Sequence, residues 1–407
     1  MQRVGPDRGA TARDRGRSAG IRGLLRLRCA CRECSATMRV RTMRCRLGFR
    51  SALHATLLSC VVVLTPGCSE RAEERPERPQ RPAAEPQTRD EDLRSGAIRF
   101  GIKDPPAKAP GAIRLATYNL ENLVSDPIED ESAGKPPAEV SALAETIRRL
   151  DADILAVQQV ESLDTLRRFN DEHLAEMGYT HIITAETGDP RGIQQGVLSR
   201  FPIVTYQSWP GMELGGEHPE MFGDRPNFFA GEPVRYRRSP LKAVIQIPSG
   251  EEDHLELTLL VVHHKSHPLS AYWREAEARA LTEKIRTMQD ERPERLIAVL
   301  GDFSAEIDHA SVRTYLEVGL RDAQQPELIE TGEQTLPEKK WATHTTGTRI
   351  DMILVNEPLW KLIEPSSGFV LGTPARAPWE GRQDPKPEGW ASDHYPVAVD
   401  MRVGDDE

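Results

Sequence analysis

The chain has 407 residues and a formal net charge of −10 at pH 7, which is long for one domain. Its six cysteines (Cys29, Cys31, Cys34, Cys45, Cys60 and Cys68) all fall in the first 68 residues, excluding a disulfide framework or cysteine-based metal centre from the remainder. Residues 1–68 hold 14 Arg against three acidic residues, a surplus of 11, so residues 69–407 carry −21, a charge that disfavours non-specific binding of long polyanions.

Residues 1–42 are Arg-rich and aperiodic, and are read as an unassigned basic extension ahead of a true start at Met38 or Met43. Cys29, Cys31 and Cys34 lack a convincing fourth ligand for zinc. Residues 43–68 read as a lipoprotein-type signal peptide: Arg44, Arg46 and Arg50, then an apolar run from Ala52 to Leu64 too short to span a bilayer, then Thr65-Pro-Gly-Cys68. The end resembles a lipobox, although Thr65 stands where Leu is usual. The expectation is an exported protein, anchored to the membrane by a lipid on Cys68 and facing the periplasm or cell surface. Residues 69–110, rich in Pro, Glu and Arg, are expected to be a disordered linker.

Residues 111–407 alternate strand and helix patterns and are expected to form one α/β domain. Residues 113–120 alternate with period two; residues 138–150 put Val140, Leu143, Ile147 and Leu150 on one helical face; Ile154 to Val157 is a buried strand. Further strands are expected at 180–184, 196–199, 202–206, 241–247, 255–263, 296–300, 349–355 and 396–402. Helices are expected at 162–177, 271–288 and 309–318. Residues 207–239 and 372–392 read as long Gly/Pro-rich loops, of the kind that flank sites.

Polar residues cluster at the ends of predicted strands, in Thr117-Tyr-Asn-Leu-Glu-Asn122, Leu155-Ala-Val-Gln-Gln-Val-Glu161, Val261-Val-His-His-Lys-Ser-His267, Val299-Leu-Gly-Asp-Phe-Ser304, Arg349-Ile-Asp-Met-Ile353 and Trp390-Ala-Ser-Asp-His-Tyr-Pro396. Ligand sites in layered α/β folds form at such ends. Any one of these segments is a common turn sequence. Their order, across residues 111–403, resembles the endonuclease/exonuclease/phosphatase superfamily, with Gly188 to Arg200 resembling a pattern of its bacterial branch.

That resemblance implies a DNase-like four-layered α/β/β/α sandwich and a phosphoesterase that uses a divalent cation, Mg²⁺ first, with Mn²⁺ or Ca²⁺ as alternatives. It implies that Asp351 orients His394 as a base, that Asp302 orients the attacking water or the phosphate, and that Asn119 donates to it. His263 is then a proton donor or phosphate ligand, Ser304 a substrate-binding residue, and Asp393 a metal ligand. His264 falls on the opposite strand face and reads as structural or exposed; His267 is left open.

Three positions depart from the pattern: Gln159 replaces a metal-binding Glu, Ser304 an Asn and Gln194 an Asp. Gln offers a hard cation only a neutral carbonyl. Glu121, two residues from Asn119 and so expected on its face, is a candidate replacement, as is Glu161. The metal set is therefore Glu121, Gln159 and Asp393. The reading is hydrolysis of a phosphodiester or phosphomonoester, nucleic acid being one substrate class, with no protein partner. The alternatives are a weakened member that binds phosphate or a partner without turnover, and a lipid-headgroup phosphodiesterase. The last should carry an apolar insertion, for which Met221-Phe222 and Phe228-Phe229 are the nearest candidates.

Overall fold

The computed structural model describes residues 100–124, 134–250, 253–324, 340–373 and 386–403. The basic extension, the signal segment with Cys68, the linker up to residue 99 and loop residues 374–385 lie outside the described residues. Among those described, no helix is long and apolar enough to cross a membrane.

Two six-stranded sheets account for most of the described strands. The first comprises β1 (Ile113–Leu123), β2 (Ile154–Val160), β3 (His181–Ala185), β4 (Gln194–Ser199), β15 (Phe369–Val370) and β16 (Val397–Met401), in the order β15-β16-β1-β2-β4-β3. The second comprises β5 (Ile203–Ser208), β10 (Leu241–Pro248), β11 (His254–His263), β12 (Leu296–Asp302), β13 (Arg321–Asp322) and β14 (Asp351–Val355), in the order β13-β14-β12-β11-β10-β5. Alternation sends one face of each sheet inward. Leu115, Ile154, Val197, Leu259, Leu300 and Ile353 meet there in one apolar core. The outer face of the first sheet packs on α1 (Pro137–Leu150) and α2 (Leu163–His173), and that of the second on α3 (Ala271–Glu291) and α4 (Ala310–Glu317). A four-layered α/β/β/α sandwich results.

Local chemistry sets the helix ends. Proline opens α1, where its missing N–H costs nothing. Asp151 closes α1 in the left-handed region at φ 48°, its N–H bonded to the Ile147 carbonyl. The Ser162 hydroxyl caps α2 by accepting from the Thr165 amide. The helix expected over 162–177 ends at His173, followed by a 3-10 turn at Ala175–Met177.

Two expectations need correction. Residues 100–110 are not linker: Phe100 is buried against Tyr395 edge-on, Ile102 bridges to Leu371, and Lys108 pairs with Asp153 at 2.9 Å. Isolated apolar residues in a charged stretch found tertiary sites that no local pattern announces. Residues 207–239 are not plain loop either. They hold two small antiparallel pairs, β6 (Glu213–Glu217) with β9 (Pro233–Arg235) and β7 (Met221–Phe222) with β8 (Arg225–Pro226). The first pair is seated on Trp273 of α3 through Leu214, Val234 and Tyr236.

Gly301 lies beside the site at φ +137°, and an added Cβ would fall 2.0 Å from the Val262 carbonyl oxygen on β11. Backbone on a central strand cannot yield, so Gly301→Ala should cost about 2–5 kcal/mol of strain and overpacking. Gly319, at φ +85° with nothing within 4 Å, should lose only about 1–2 kcal/mol on the same change. Denaturant midpoints compare the two; equal losses would remove the steric argument.

Candidate active site

The inward face of both sheets turns from apolar to polar at one end. On β1 the series Ile113, Leu115 continues as Thr117 and Asn119; on β2 Ile154 and Ala156 give way to Gln158; on β4 Val197 is followed inward by Gln195. On the second sheet Val261 leads to His263, Leu300 to Asp302, and Ile353 to Asp351. The period of two places each polar residue on the face its apolar predecessors define. Register then aligns His263 with Asp302, and Asp302 with Asp351.

Asn119 joins the sheets. Its Oδ1 accepts the Glu121 amide at 3.1 Å, which turns its Nδ2 to donate to Asp302 Oδ2 at 3.1 Å, with His394 Nε2 3.3 Å away. The segment bearing His394 is pinned by Ser392, whose hydroxyl donates to the Asn119 carbonyl at 2.7 Å and accepts the His394 amide at 3.1 Å. His394 Nδ1 lies 2.8 Å from Asp351 Oδ2, and its Nε2 3.9 Å from Asp302 Oδ2 and 3.8 Å from Asp393 Oδ1. Burial opposes charge on this ring, yet Asp351, Asp393 and Asp302 outweigh it and push His394 up to about 10. Asp302 is held on its other oxygen by the Ser304 amide at 2.7 Å and hydroxyl at 3.1 Å.

His263 faces Asp302 Oδ2 at 3.6 Å, but its Nε2 lies 2.9 Å from Arg238 Nη1. A guanidinium only donates, so this ring nitrogen accepts. Burial first, and Arg238 next, hold His263 well below the ordinary histidine range. His263 is therefore neutral at this contact, which counts against the proton-donor role. His264 is structural: its ring spans Glu277 at 3.0 Å and Tyr315 at 2.9 Å, inside the second sheet's outer core. His267 is exposed and caps a short 3-10 turn, accepting the Leu269 amide.

Two of the three expected metal ligands, Glu121 and Gln159, are placed otherwise than strand alternation implies. Glu121 has φ +49° and Asn122 φ +58°, so strand alternation stops and Glu121 leaves the face of Asn119. Its carboxylate accepts the Trp390 indole N–H at 2.7 Å and the Asp393 amide at 3.2 Å, and pairs with Lys386 at 2.9 Å and Lys135 at 3.7 Å. Gln158, not Gln159, is the register partner of Asn119; Gln159 is a bulge residue at φ +64°. Ser304 is likewise committed, its hydroxyl bonded to Asp302 and to the His264 carbonyl, and holds Asp302 instead of facing the cleft.

A cation fits better on the other side of Asp393. Its Oδ1 is buried without a hydrogen-bond partner, and His344, Asp393 and His394 each place a donor atom within 4.8 Å of one another. Burial would raise Asp393, but His344, 3.7 Å away, and His394 hold it at about 2. An ionised carboxylate beside the His344 imidazole suits a divalent ion, with the protonated His394 bordering the position without ligating it. Sequence reasoning missed His344 and Arg238. His344 stands five residues before Arg349-Ile-Asp351, and a histidine so close to a motif was the available signal; Arg238, in Arg235-Tyr-Arg-Arg238, offered none.

The model of the Endonuclease/Exonuclease/phosphatase family matches residues 116–394. No curated protein matches the chain. Among solved structures, the human Nocturnin catalytic domain with bound sulfate is 15% identical, with TM-score 0.47, covering 72% of this chain and 95% of that one. The Bacteroides thetaiotaomicron mannosyl-6-phosphatase is 17% identical, with TM-score 0.43, covering 70% and 98%. A family protein from Bacteroides vulgatus is 16% identical, with TM-score 0.44, covering 72% and 99%.

Proposed function

Because the chain belongs to the endonuclease/exonuclease/phosphatase family, whose members are hydrolases of phosphate esters, we propose that it hydrolyses a small phosphomonoester or phosphodiester. The observation that carries this reading is the convergence on Asp302 Oδ2 of Asn119 at 3.1 Å, His263 at 3.6 Å and His394 at 3.9 Å, from both sheets. In this proposal Asp302 orients the attacking water and takes its proton as the new phosphorus–oxygen bond forms. His394, kept charged by Asp351, neutralises a phosphoryl oxygen and gives a proton to the departing ester oxygen. This departs from the expected role of His394 as a base, since a group pushed up to about 10 keeps its proton at neutral pH. A cation held by Asp393 and His344 would add charge neutralisation at the phosphoryl oxygens. Mg²⁺ remains the first candidate, with the His344 imidazole favouring Mn²⁺ over Ca²⁺. The acidic body argues for short esters over long nucleic acid.

A second reading, phosphate binding without turnover, is favoured by the lysines that engage Glu121, a carboxylate otherwise available to a cation. Hydrolysis of bis(p-nitrophenyl) phosphate, p-nitrophenyl phosphate and plasmid DNA, each with Mg²⁺, Mn²⁺ or EDTA, separates the two. Turnover of an aryl ester exceeding that of plasmid is expected. No turnover of any ester would sink the enzymatic reading.

A further inference from the structure

The wall of the cleft beside His263 carries charge that the chemistry above does not use. Asp189 is buried between two guanidiniums: its Oδ2 accepts Arg191 Nη2 at 2.9 Å and Arg238 Nε at 3.0 Å. Arg238 is buried and turned to the reactive centre, its Nη1 also serving His263 and the His264 carbonyl. Arg191 is not. Its Nε and Nη2 go to Asp189, its Nη1 makes no hydrogen bond among the described residues, and its side chain is 42% exposed. Lys265 joins them from the segment after His263. Its ammonium rests 5.2 Å over the Trp273 ring and has no carboxylate within ion-pairing distance among the described residues. The Arg238 bond to the His264 carbonyl, at 2.9 Å, places Lys265 at the next residue of the chain, and burial, joined by Arg238 and Arg191, lowers its pKa.

One carboxylate thus holds two arginines, with an unpaired lysine on the segment that Arg238 bonds, on a body that is otherwise strongly acidic. The cations continue from the reactive centre without a break: Asp302 to His263 at 3.6 Å, His263 to Arg238 at 2.9 Å, and Arg238 to Arg191 through Asp189. Arg191 is held in a fixed plane by Asp189, and its open edge has the fork geometry that suits a phosphate oxygen. We propose that Arg191 and Lys265 form a second anion subsite, so that the preferred substrate carries another phosphate next to the scissile ester. This rests on the phosphoesterase reading for its catalytic meaning, but the subsite itself is a binding claim.

Calorimetric titration with inorganic pyrophosphate and with orthophosphate tests it without turnover. Pyrophosphate should bind the wild-type chain about tenfold or more tightly than orthophosphate, the worth of one or two hydrogen bonds to charged groups. Arg191→Ala and Lys265→Ala should each shrink that ratio while leaving orthophosphate affinity unchanged. Arg191→Lys should keep part of it, and guards against loss of the Asp189 pairing as a trivial cause. Equal affinities in the wild type, a ratio that survives both alanine variants, or no binding of either anion would overturn the proposal. Inactivity on every ester with the pyrophosphate preference intact would remove the enzymatic reading and leave the subsite standing.

Discussion

Replacing His394 with alanine is expected to lower phosphoesterase turnover by roughly 10²–10⁴-fold, the usual worth of a positioned proton donor. Asp302→Ala should fall in the same range, because Asp302 meets Asn119, His263 and His394 together. Both side chains sit at the polar end of the inter-sheet face, beyond the apolar core, so neither is a packing element. Thermal midpoints should therefore move far less than rates, although loss of His394 leaves Asp351 buried without its partner. Single-turnover rates on an aryl phosphate, beside melting curves, distinguish lost chemistry from lost fold. A His394→Ala enzyme at near-full rate would mean that another group carries the proton.

Asp351→Asn should be comparably damaging, by roughly 10³–10⁴-fold, since an amide can neither balance the imidazolium nor insist on one ring orientation. The pH profile carries the sharper reading. His394 is raised from an ordinary 6.5 to about 10. Activity that needs the charged ring should thus persist through neutral pH and fall as pH rises through about 10. In Asp351→Asn the fall should move down toward neutrality, because burial then acts against the charge with less to oppose it. The stability linkage has the same sign: a raised histidine contributes fully below its unfolded value and loses that contribution as pH rises through its folded one. If kcat/KM against pH is superimposable for the two proteins, Asp351 does not set the charge of His394.

Much of the fold was open to reading from the chain alone. The strand at Ile113, the helix over Pro137–Leu150 and the strands ending at His263 and Asp302 follow from period-two and 3.6-residue patterns, which are local properties of sidedness. The same sidedness brought Asn119, His263, Asp302 and Asp351 to one face, because each continues the inward-facing apolar row of its strand. Such inference works while alternation holds. It failed at Glu121, where two consecutive left-handed residues turned the carboxylate away toward Trp390 and Lys386, and at Ser304, whose left-handed backbone folds its hydroxyl back onto Asp302.

The sequence by itself determined the layered α/β architecture and the residues at its strand ends, since periodicity and ordered motifs are written along the chain. Tertiary structure alone decided the partners. It put Arg238 on His263, His344 beside Asp393, and Phe100 against Tyr395. It also decided the charge of each histidine: burial with Arg238 keeps His263 neutral, while three carboxylates keep His394 protonated. Both are histidines at strand or turn ends, indistinguishable by local pattern. What separates them is the sign of the charge brought within a few ångströms by segments remote in sequence, and electrostatic energy depends on distance in space and local dielectric.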